Sequence, residues 1–296
     1  MSNFFNDIKS IDRIVLSSDT KHHMFIEFWP LVATAWKKFF PEVTVTLALL
    51  TERDENDTLV EECRKHGEVH IVKPIPNAPI ANQAKVARHI VASKMGDDVC
   101  CLHDIDSCPL NRYYTESFVS RRKKDTLLRV GREVLHGGPH HGKFPMSHVT
   151  AEGYIWKEII NPNNLSDRKL LESWVGMAIF TECGVERRFL DGKESLGAKW
   201  QHFSDESLLR ALLSKWEPQR FTDVQRSVDG SLLNVTERWL DRSWWPGDPK
   251  VIYRKLINGD YVEANMARPM YENWVNLLPL VHYIYGHTDE SIVRLE

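Results

Sequence analysis

The sequence predicts an α/β fold with a mainly parallel central sheet flanked by helices, and two patterns carry that expectation. Over roughly the first hundred residues, short β-branched runs alternate with longer segments whose apolar residues recur every three to four positions. The intervening segments are long enough for helical crossovers, which join parallel strands and are right-handed.

The elements follow in chain order. Arg13 to Ser18 (RIVLSS) reads as the first strand, and His22 to Phe40 as a helix on which Phe25, Phe28, Trp29, Val32, Trp36 and Phe39 share a face. Pro41 stops it, because proline lacks the N–H that a further turn needs. Val43 to Leu50 is the second strand, Asp57 to His66 a helix closed by Gly67, and Val69 to Ile75 the third strand. A proline-rich turn (KPIPNAPI) leads into a helix from about Ala81 to Met95, which Gly96 closes before the apolar strand Val99 to Leu102.

Composition narrows the function. The chain has 296 residues, 42% hydrophobic and 27% charged, enough for one substantial core. A net charge of -3 lacks the basic excess of a phosphate-backbone binder, so nucleic acid is not an expected partner. The five cysteines include the adjacent pair Cys100 and Cys101 but no C-x-x-C spacing, which fits a reducing compartment. The N-terminus lacks the cationic start and apolar core of a signal peptide, and no stretch approaches the ~20 apolar residues of a membrane span. A soluble cytoplasmic protein is expected; N-x-S/T sites at Asn56, Asn164 and Asn234 would matter only on a secretory route.

In parallel sheets ligands bind at the carboxyl ends of the strands. Three segments lie there: Ser17-Ser18-Asp19, Thr51-Glu52-Arg53 and His103-Asp104-Ile105-Asp106-Ser107. The i, i+2 spacing of Asp104 and Asp106 brings both carboxylates to one rim of the sheet, where hard oxygen ligands can hold Mn²⁺ or Mg²⁺. The structural alternative is a pair of solvated turn aspartates, with Asp104 capping the next segment.

This order of strand, Ser-Ser-Asp, alternating βα units and apolar strand plus D-x-D resembles the nucleotide-binding half of GT-A glycosyltransferases over about the first 110 residues. The overall organisation is also similar to glycosyltransferases encoded by large algal DNA viruses. The resemblance implies one GT-A domain over residues 1–296, with a nucleotide-sugar-binding half to about 110 and an acceptor-side half from about 111. It further implies a nucleotide-sugar donor, with UDP as the nucleotide, and a carbohydrate or glycoconjugate acceptor. Ser17, Ser18 and Asp19 would lie beside the nucleoside, Asp104 near ribose and metal with Ile105 between, and Asp106 on the metal.

On the helix before the D-x-D strand, Asn82, Lys85 and Arg88 are spaced three apart and are candidates to meet a diphosphate or lock the aspartates; a solvated helix face explains them equally. Arg121 to Lys124 reads as solvated basic surface. The histidine- and glycine-rich segment His136 to Gly142 has no zinc-site spacing and is expected to close over a ligand. Glu172 to Phe180 reads as a strand whose interior Gly176 permits close approach to the backbone, and the resemblance implies that the donor sugar passes there; Trp174 is a candidate to stack on a sugar. Core packing is the simpler role for a tryptophan there.

Trp200 to Arg210 places Asp205 and Glu206 at the start of a helix marked by Leu208, Leu209, Leu212 and Leu213, with Ser204 as N-cap. The pair either complements the helix dipole or supplies the general base that an acceptor hydroxyl needs, Asp205 first and Glu206 second. Inverting GT-A enzymes commonly place an acidic pair at such a helix start, and the order here matches. Trp200 and His202, just upstream, join Trp174 as acceptor-side candidates. The resemblance implies a third metal ligand from the C-terminal end, commonly a histidine; His282 and His287 are candidates, a structural role is the alternative for each, and the ligand stays open. Rival readings are a haloacid-dehalogenase-type phosphatase with Asp104 as nucleophile, a nucleotidyltransferase, and a non-catalytic nucleotide- or sugar-binding module.

Overall fold

The structure, a computed structural model, describes residues 11–76, 78–130, 146–177, 206, 209, 212, 213, 215, 216, 220–224, 238–242, 245 and 247–286. Four parallel strands form its first half: β1 (Arg13–Asp19), β2 (Thr44–Leu50), β3 (Glu68–Val72) and β4 (Val99–Leu102). With β6 (Leu127–Val130), β7 (Val149–Glu152) and β8 (Phe221–Val224) they make a seven-stranded sheet ordered β3-β2-β1-β4-β7-β6-β8. Among its neighbours only β7 runs antiparallel, against both β4 and β6. A second, three-stranded sheet joins β5 (Ser107–Pro109), β10 (Glu263–Asn265) and β9 (Trp239–Leu240).

Period-two alternation assigns the two cores. Ile14 and Leu16 of β1 and Val45, Leu47 and Leu49 of β2 face α1 (His23–Ile26), α2 (Trp29–Phe39) and α3 (Thr58–Arg64). Val15, Ala48 and Leu50 face the opposite layer of α4 (Ile80–Ala92), α6 (Gly153–Ile160) and α7 (Asp167–Met177). The first layer also holds Tyr114 and Phe118 of α5 (Tyr113–Val119), Ile252 and Leu256 of α8 (Pro249–Ile257), and Leu277 and Leu280 of α9 (Trp274–Tyr285). The α/β expectation is met, with helices on both faces. Because the β1–β2–β3 crossovers lie on one face and α4 on the other, the sheet reverses direction between β1 and β4, the position at which open α/β sheets bind ligands.

Several local expectations are corrected. The helix expected over His22 to Phe40 is two, since Pro30 occupies the first turn of α2 and starts it afresh. The expected strand from Glu172 is instead the end of α7, which runs through Gly176 to Met177. Leu170, Leu171 and Trp174 are buried at helical spacing, and Arg168 pairs with Glu172 one turn on at 3.0 Å, so the apolar stretch obeys a 3.6-residue period. Arg122, expected on the surface, is buried and pairs with buried Glu152 at 2.7 Å. The segment His136 to Gly142 lies outside the described residues. Cys63, Cys100, Cys101 and Cys108 are buried free thiols, and burial pushes the Cys63 thiol up to about 11. Among the described residues no helix is long and apolar enough to cross a membrane.

The second core contains a polar anomaly. His89 is fully buried between Trp156 and Trp174, with ring centroids 5.5 and 5.2 Å away, and among the described residues neither of its ring nitrogens has a hydrogen-bond partner. Burial, and secondarily the charge of Arg88, push its pKa well below the ordinary histidine range. Unfolded His89 takes up a proton below about pH 6.5 while the folded residue does not, so its contribution falls as pH drops. His89→Phe is expected to raise stability by about 1–2 kcal/mol at pH 7 and by more at pH 5, through removal of unsatisfied polar atoms. Urea titrations of both proteins at the two pH values check this; an equal or smaller gain at pH 5 contradicts it.

Candidate functional site

The site follows from unequal strand lengths. β1 pairs with β4 only from Arg13 to Val15, and the last contact is the N–H of His103 donating to the Val15 carbonyl at 3.1 Å. β1 continues beside β2 to Asp19, so Leu16 to Asp19 outrun β4. The diverging chain turns at Asp104 to Ser107, closed by Ser107 N–H donating to the Asp104 carbonyl at 3.2 Å, and then enters β5. A cavity of about 280 Å³ opens there, lined by Ser17, Ser18, Asp19, Ala81, Ala84, Lys85, Arg88, Asp104, Ile105 and Asp106 from the first half of the chain. Phe25, Met146, Glu206, Arg242 and Arg268 complete the wall.

The acidic pair divides its surroundings unequally. Buried Arg88 donates to Asp104 Oδ1 at 2.8 Å and to the His103 carbonyl at 3.1 Å, fixing both the side chain and the turn. Burial penalises the Asp104 charge, but Arg88, helped by His103 and Lys85, holds its carboxyl below the usual range. Asp106 is only 4% exposed. Burial, then the neighbouring Asp104 charge, push its carboxyl up to about 6 against the pull of Arg242. Asp106 Oδ2 lies 3.2 Å from Arg268 Nε and 3.4 Å from Arg242, yet among the described residues it accepts no hydrogen bond. A buried carboxylate oxygen facing a cavity without a hydrogen bond, beside a second carboxylate, is a donor set that suits a hard divalent cation.

The other expected residues are placed unevenly. Asp19 Oδ1 accepts from the backbone N–H groups of Lys21 and His22 at 2.8 and 2.7 Å, so this carboxylate also shapes the turn after β1. Ile105 packs in the core while bordering the cavity. On α4 the face toward the cavity is Ala81, Ala84, Lys85 and Arg88, and Asn82 is not on it. Three-residue steps drift around a helix of 3.6 per turn, whereas the 81–84–85–88 set keeps one face. The two alanines leave room beside the positive N-terminal end of that helix.

Glu206 is helical and on the wall. Asp205, Trp200, His202 and His287 lie outside the described residues. Trp174 is 1% exposed, stacked on His89 in the core and away from the cavity, and Gly176 belongs to α7; His282, on α9, does not line the cavity.

Sequence reasoning missed Arg242, Arg268, Phe25 and Met146. Arg268 stacks over Phe25 at 5.1 Å, and no spacing in the chain announces that contact. It also missed a buried cluster behind the turn, in which His103, His148 and Glu263 converge. Burial opposes the charge on Glu263, yet His148 and then His103 hold its carboxyl down at about 2.

No family model matches the sequence, and no curated protein sequence matches it. Among solved structures, the apo glycosyltransferase GlyE of Streptococcus pneumoniae TIGR4 aligns with a TM-score of 0.47 and 11% identity, over 96% of this chain and 64% of that one. The bifunctional glycosyltransferase WbbM aligns at 0.44 and 11%, over 97% and 52%. S. aureus TarS 1–349, solved with UDP-GlcNAc, aligns at 0.34 and 11%, over 97% and 76%. The chain thus spans less than two thirds of the length of GlyE and WbbM.

Asp106→Asn removes the charge that burial and Asp104 both oppose. It is expected to stabilise the ligand-free chain by about 1–3 kcal/mol, the scale of one unsatisfied buried polar group, while weakening any divalent-cation binding at the cavity by at least about tenfold. Denaturant titration and Mn²⁺ titration on the same two proteins test the pair of effects; destabilisation without loss of Mn²⁺ affinity contradicts this reading.

Proposed function

We propose that this chain is a metal-dependent glycosyltransferase that moves a sugar from a nucleoside-diphosphate sugar, with UDP as its nucleotide, to a hydroxyl of a carbohydrate or glycoconjugate by inverting displacement. The observation that carries the reading is the mixed wall of one cavity at the sheet's switch point. Asp104 and Asp106 offer oxygen ligands, while Lys85, Arg242 and Arg268 offer cations to an anion. A ligand that carries both a divalent ion and a diphosphate answers both halves. The low TM-scores lend the reading no weight; the cavity chemistry does.

Asp104 and Asp106 would hold Mn²⁺ or Mg²⁺, which when bound neutralises the charge that builds on the leaving diphosphate. Lys85, Arg242 and Arg268 pair with diphosphate oxygens, and the small rim residues Ser17 and Ser18 leave space for the nucleoside. Glu206 accepts the proton of the acceptor hydroxyl as that oxygen attacks the anomeric carbon and the bond to the diphosphate breaks on the opposite face. Asp205, its neighbour in the sequence, is the alternative base. A phosphatase using Asp104 as nucleophile is disfavoured, because that carboxylate is neutralised by Arg88 at 2.8 Å.

Calorimetric titration of UDP is expected to show binding that requires Mn²⁺ and is lost in Asp106→Ala. Glu206→Gln should keep UDP affinity within about twofold and lower donor turnover, followed as UDP release with a carbohydrate acceptor, by about 10²–10⁴-fold. UDP binding indifferent to both Mn²⁺ and Asp106 defeats the metal-dependent reading, and full turnover in Glu206→Gln moves the base to Asp205.

A further inference from the structure

Behind the acidic turn, strand register rather than sequence proximity brings three ligating side chains together. β4 and β7 pair Leu102 with Val149, so His103 and His148 emerge opposite each other, and the His148 N–H donates to the Leu102 carbonyl at 2.8 Å. Glu263 comes from the second sheet, where β10 pairs with β5 just after the turn. All three side chains are essentially inaccessible, at 0%, 1% and 1% exposed. Their walls are apolar: Trp36 stands edge-on to His103 at 5.2 Å, and Phe118 and Tyr114 to His148 at 4.9 and 5.2 Å.

The three side chains turn their ligating atoms toward one point, all within 4.8 Å of one another. His103 Nδ1 lies 3.0 Å from the Asp104 carbonyl, which can only accept, so Nδ1 carries a proton, and Nε2 presents a lone pair whenever the ring is neutral. That lone pair faces His148 Nε2 at 3.1 Å and Glu263 Oε1 at 3.5 Å. His148 Nε2 is also 2.9 Å from Glu263 Oε2. Both Nε2 atoms thus face each other and the same carboxylate, the arrangement that one shared cation would draw together. His148 is held at φ 65°, a left-handed backbone that a bulky side chain rarely adopts.

We propose that His103, His148 and Glu263 form a buried binding site for one divalent transition-metal ion of zinc type, separate from the ion assigned to Asp104 and Asp106. Ligands about 2.0–2.1 Å from a tetrahedral Zn²⁺ lie about 3.3 Å from one another; here the two imidazole nitrogens are 3.1 Å apart, and the two Glu263 oxygens lie 2.9 Å from one of them and 3.5 Å from the other. Two imidazoles and a carboxylate suit Zn²⁺ better than Mg²⁺ or Ca²⁺, which prefer all-oxygen sets. The His103 Nδ1–H donating to a backbone carbonyl is the outer-shell contact that orients a ligating histidine. A burial this complete makes the ion structural: it enters as the chain folds and joins the ends of β4, β7 and β10 directly beneath the acidic turn. The inference does not depend on the glycosyltransferase reading.

The test is metal analysis of the full chain, produced in zinc-supplemented medium and dialysed against EDTA, by inductively coupled plasma mass spectrometry. About one Zn²⁺ per chain is expected to persist in the wild type and in the Asp104→Ala/Asp106→Ala double variant, and to be lost from His148→Gln and Glu263→Gln. Because those last two variants can fail to fold, the wild type is also loaded with Co²⁺ during refolding, and a visible ligand-field band of a four-coordinate nitrogen–oxygen site is expected. A folded, metal-free wild type with no such Co²⁺ band overturns the proposal and leaves a buried imidazolium–carboxylate network. An ion lost from the Asp104→Ala/Asp106→Ala variant overturns it too, by assigning the metal to the acidic turn.

Discussion

Strand β1 keeps its pairing to β2 as far as Asp19, whereas β4 leaves it after Leu102, and the acidic turn sits at the cavity because of that difference. Two strands ending together would have closed the sheet with side chains. Instead the chain after β4 has to turn in space that β1 no longer fills, and the turn carries Asp104 and Asp106 to the rim. The crossover of α4 on the opposite layer from α2 and α3 keeps helices from covering that point, so a ligand reaches the strand ends from outside.

Holding two carboxylates there is costly, and the surroundings distribute the cost. Arg88 comes from the core-facing side of α4, where a lone guanidinium would itself be penalised; its pairing with Asp104 and the His103 carbonyl satisfies both groups. No equivalent partner is given to Asp106, whose two nearest guanidinium groups lie in ion-pair range without a hydrogen bond to Oδ2. One carboxylate is therefore locked and the other is kept available. A chain selected for stability alone would not leave the second one so, which is the usual relation between a binding site and the fold that carries it.

Local pattern was enough to read β1, β2, β4 and the acidic turn, because a strand ending in D-x-D is written in consecutive residues. Helical spacing left Lys85 and Arg88 open between a site role and a solvated face, and the GT-A resemblance singled out Glu206 after Asp205; Lys85, Arg88 and Glu206 border the cavity. It failed where period and burial conflict: Glu172 to Phe180 is apolar enough for a strand, and only the burial of Leu170, Leu171 and Trp174 one turn apart reveals the helix. Arg122 looked like surface because charge runs usually are, and its partner Glu152 lies thirty residues away, at the end of β7. Arg242, Arg268, His148 and Glu263 carry no motif at all. Their places are set by which strands pair and in what register, information that lies in no single window of the sequence.

The two walls of the cavity are anchored to different parts of the chain, and this has a consequence for binding. The acidic turn is fixed to the second sheet by Met266 N–H donating to the Asp106 carbonyl at 2.8 Å and by the Asn265 amide donating to Ser107 Oγ at 2.9 Å. Arg268 follows within two residues of that anchor, and Met270 N–H donates to Glu27 at 2.6 Å, which ties the same segment to the loop between α1 and α2. The carboxylates and the guanidinium that faces them are thus positioned by one short stretch, Asn265 to Met270, whose backbone is committed on both sides. Groups ordered during folding need not be ordered again by a ligand, so an anion-bearing cation enters a preorganised pair of charges. For the same reason, loosening Asn265 to Met270 would separate the acidic and basic walls together rather than one at a time.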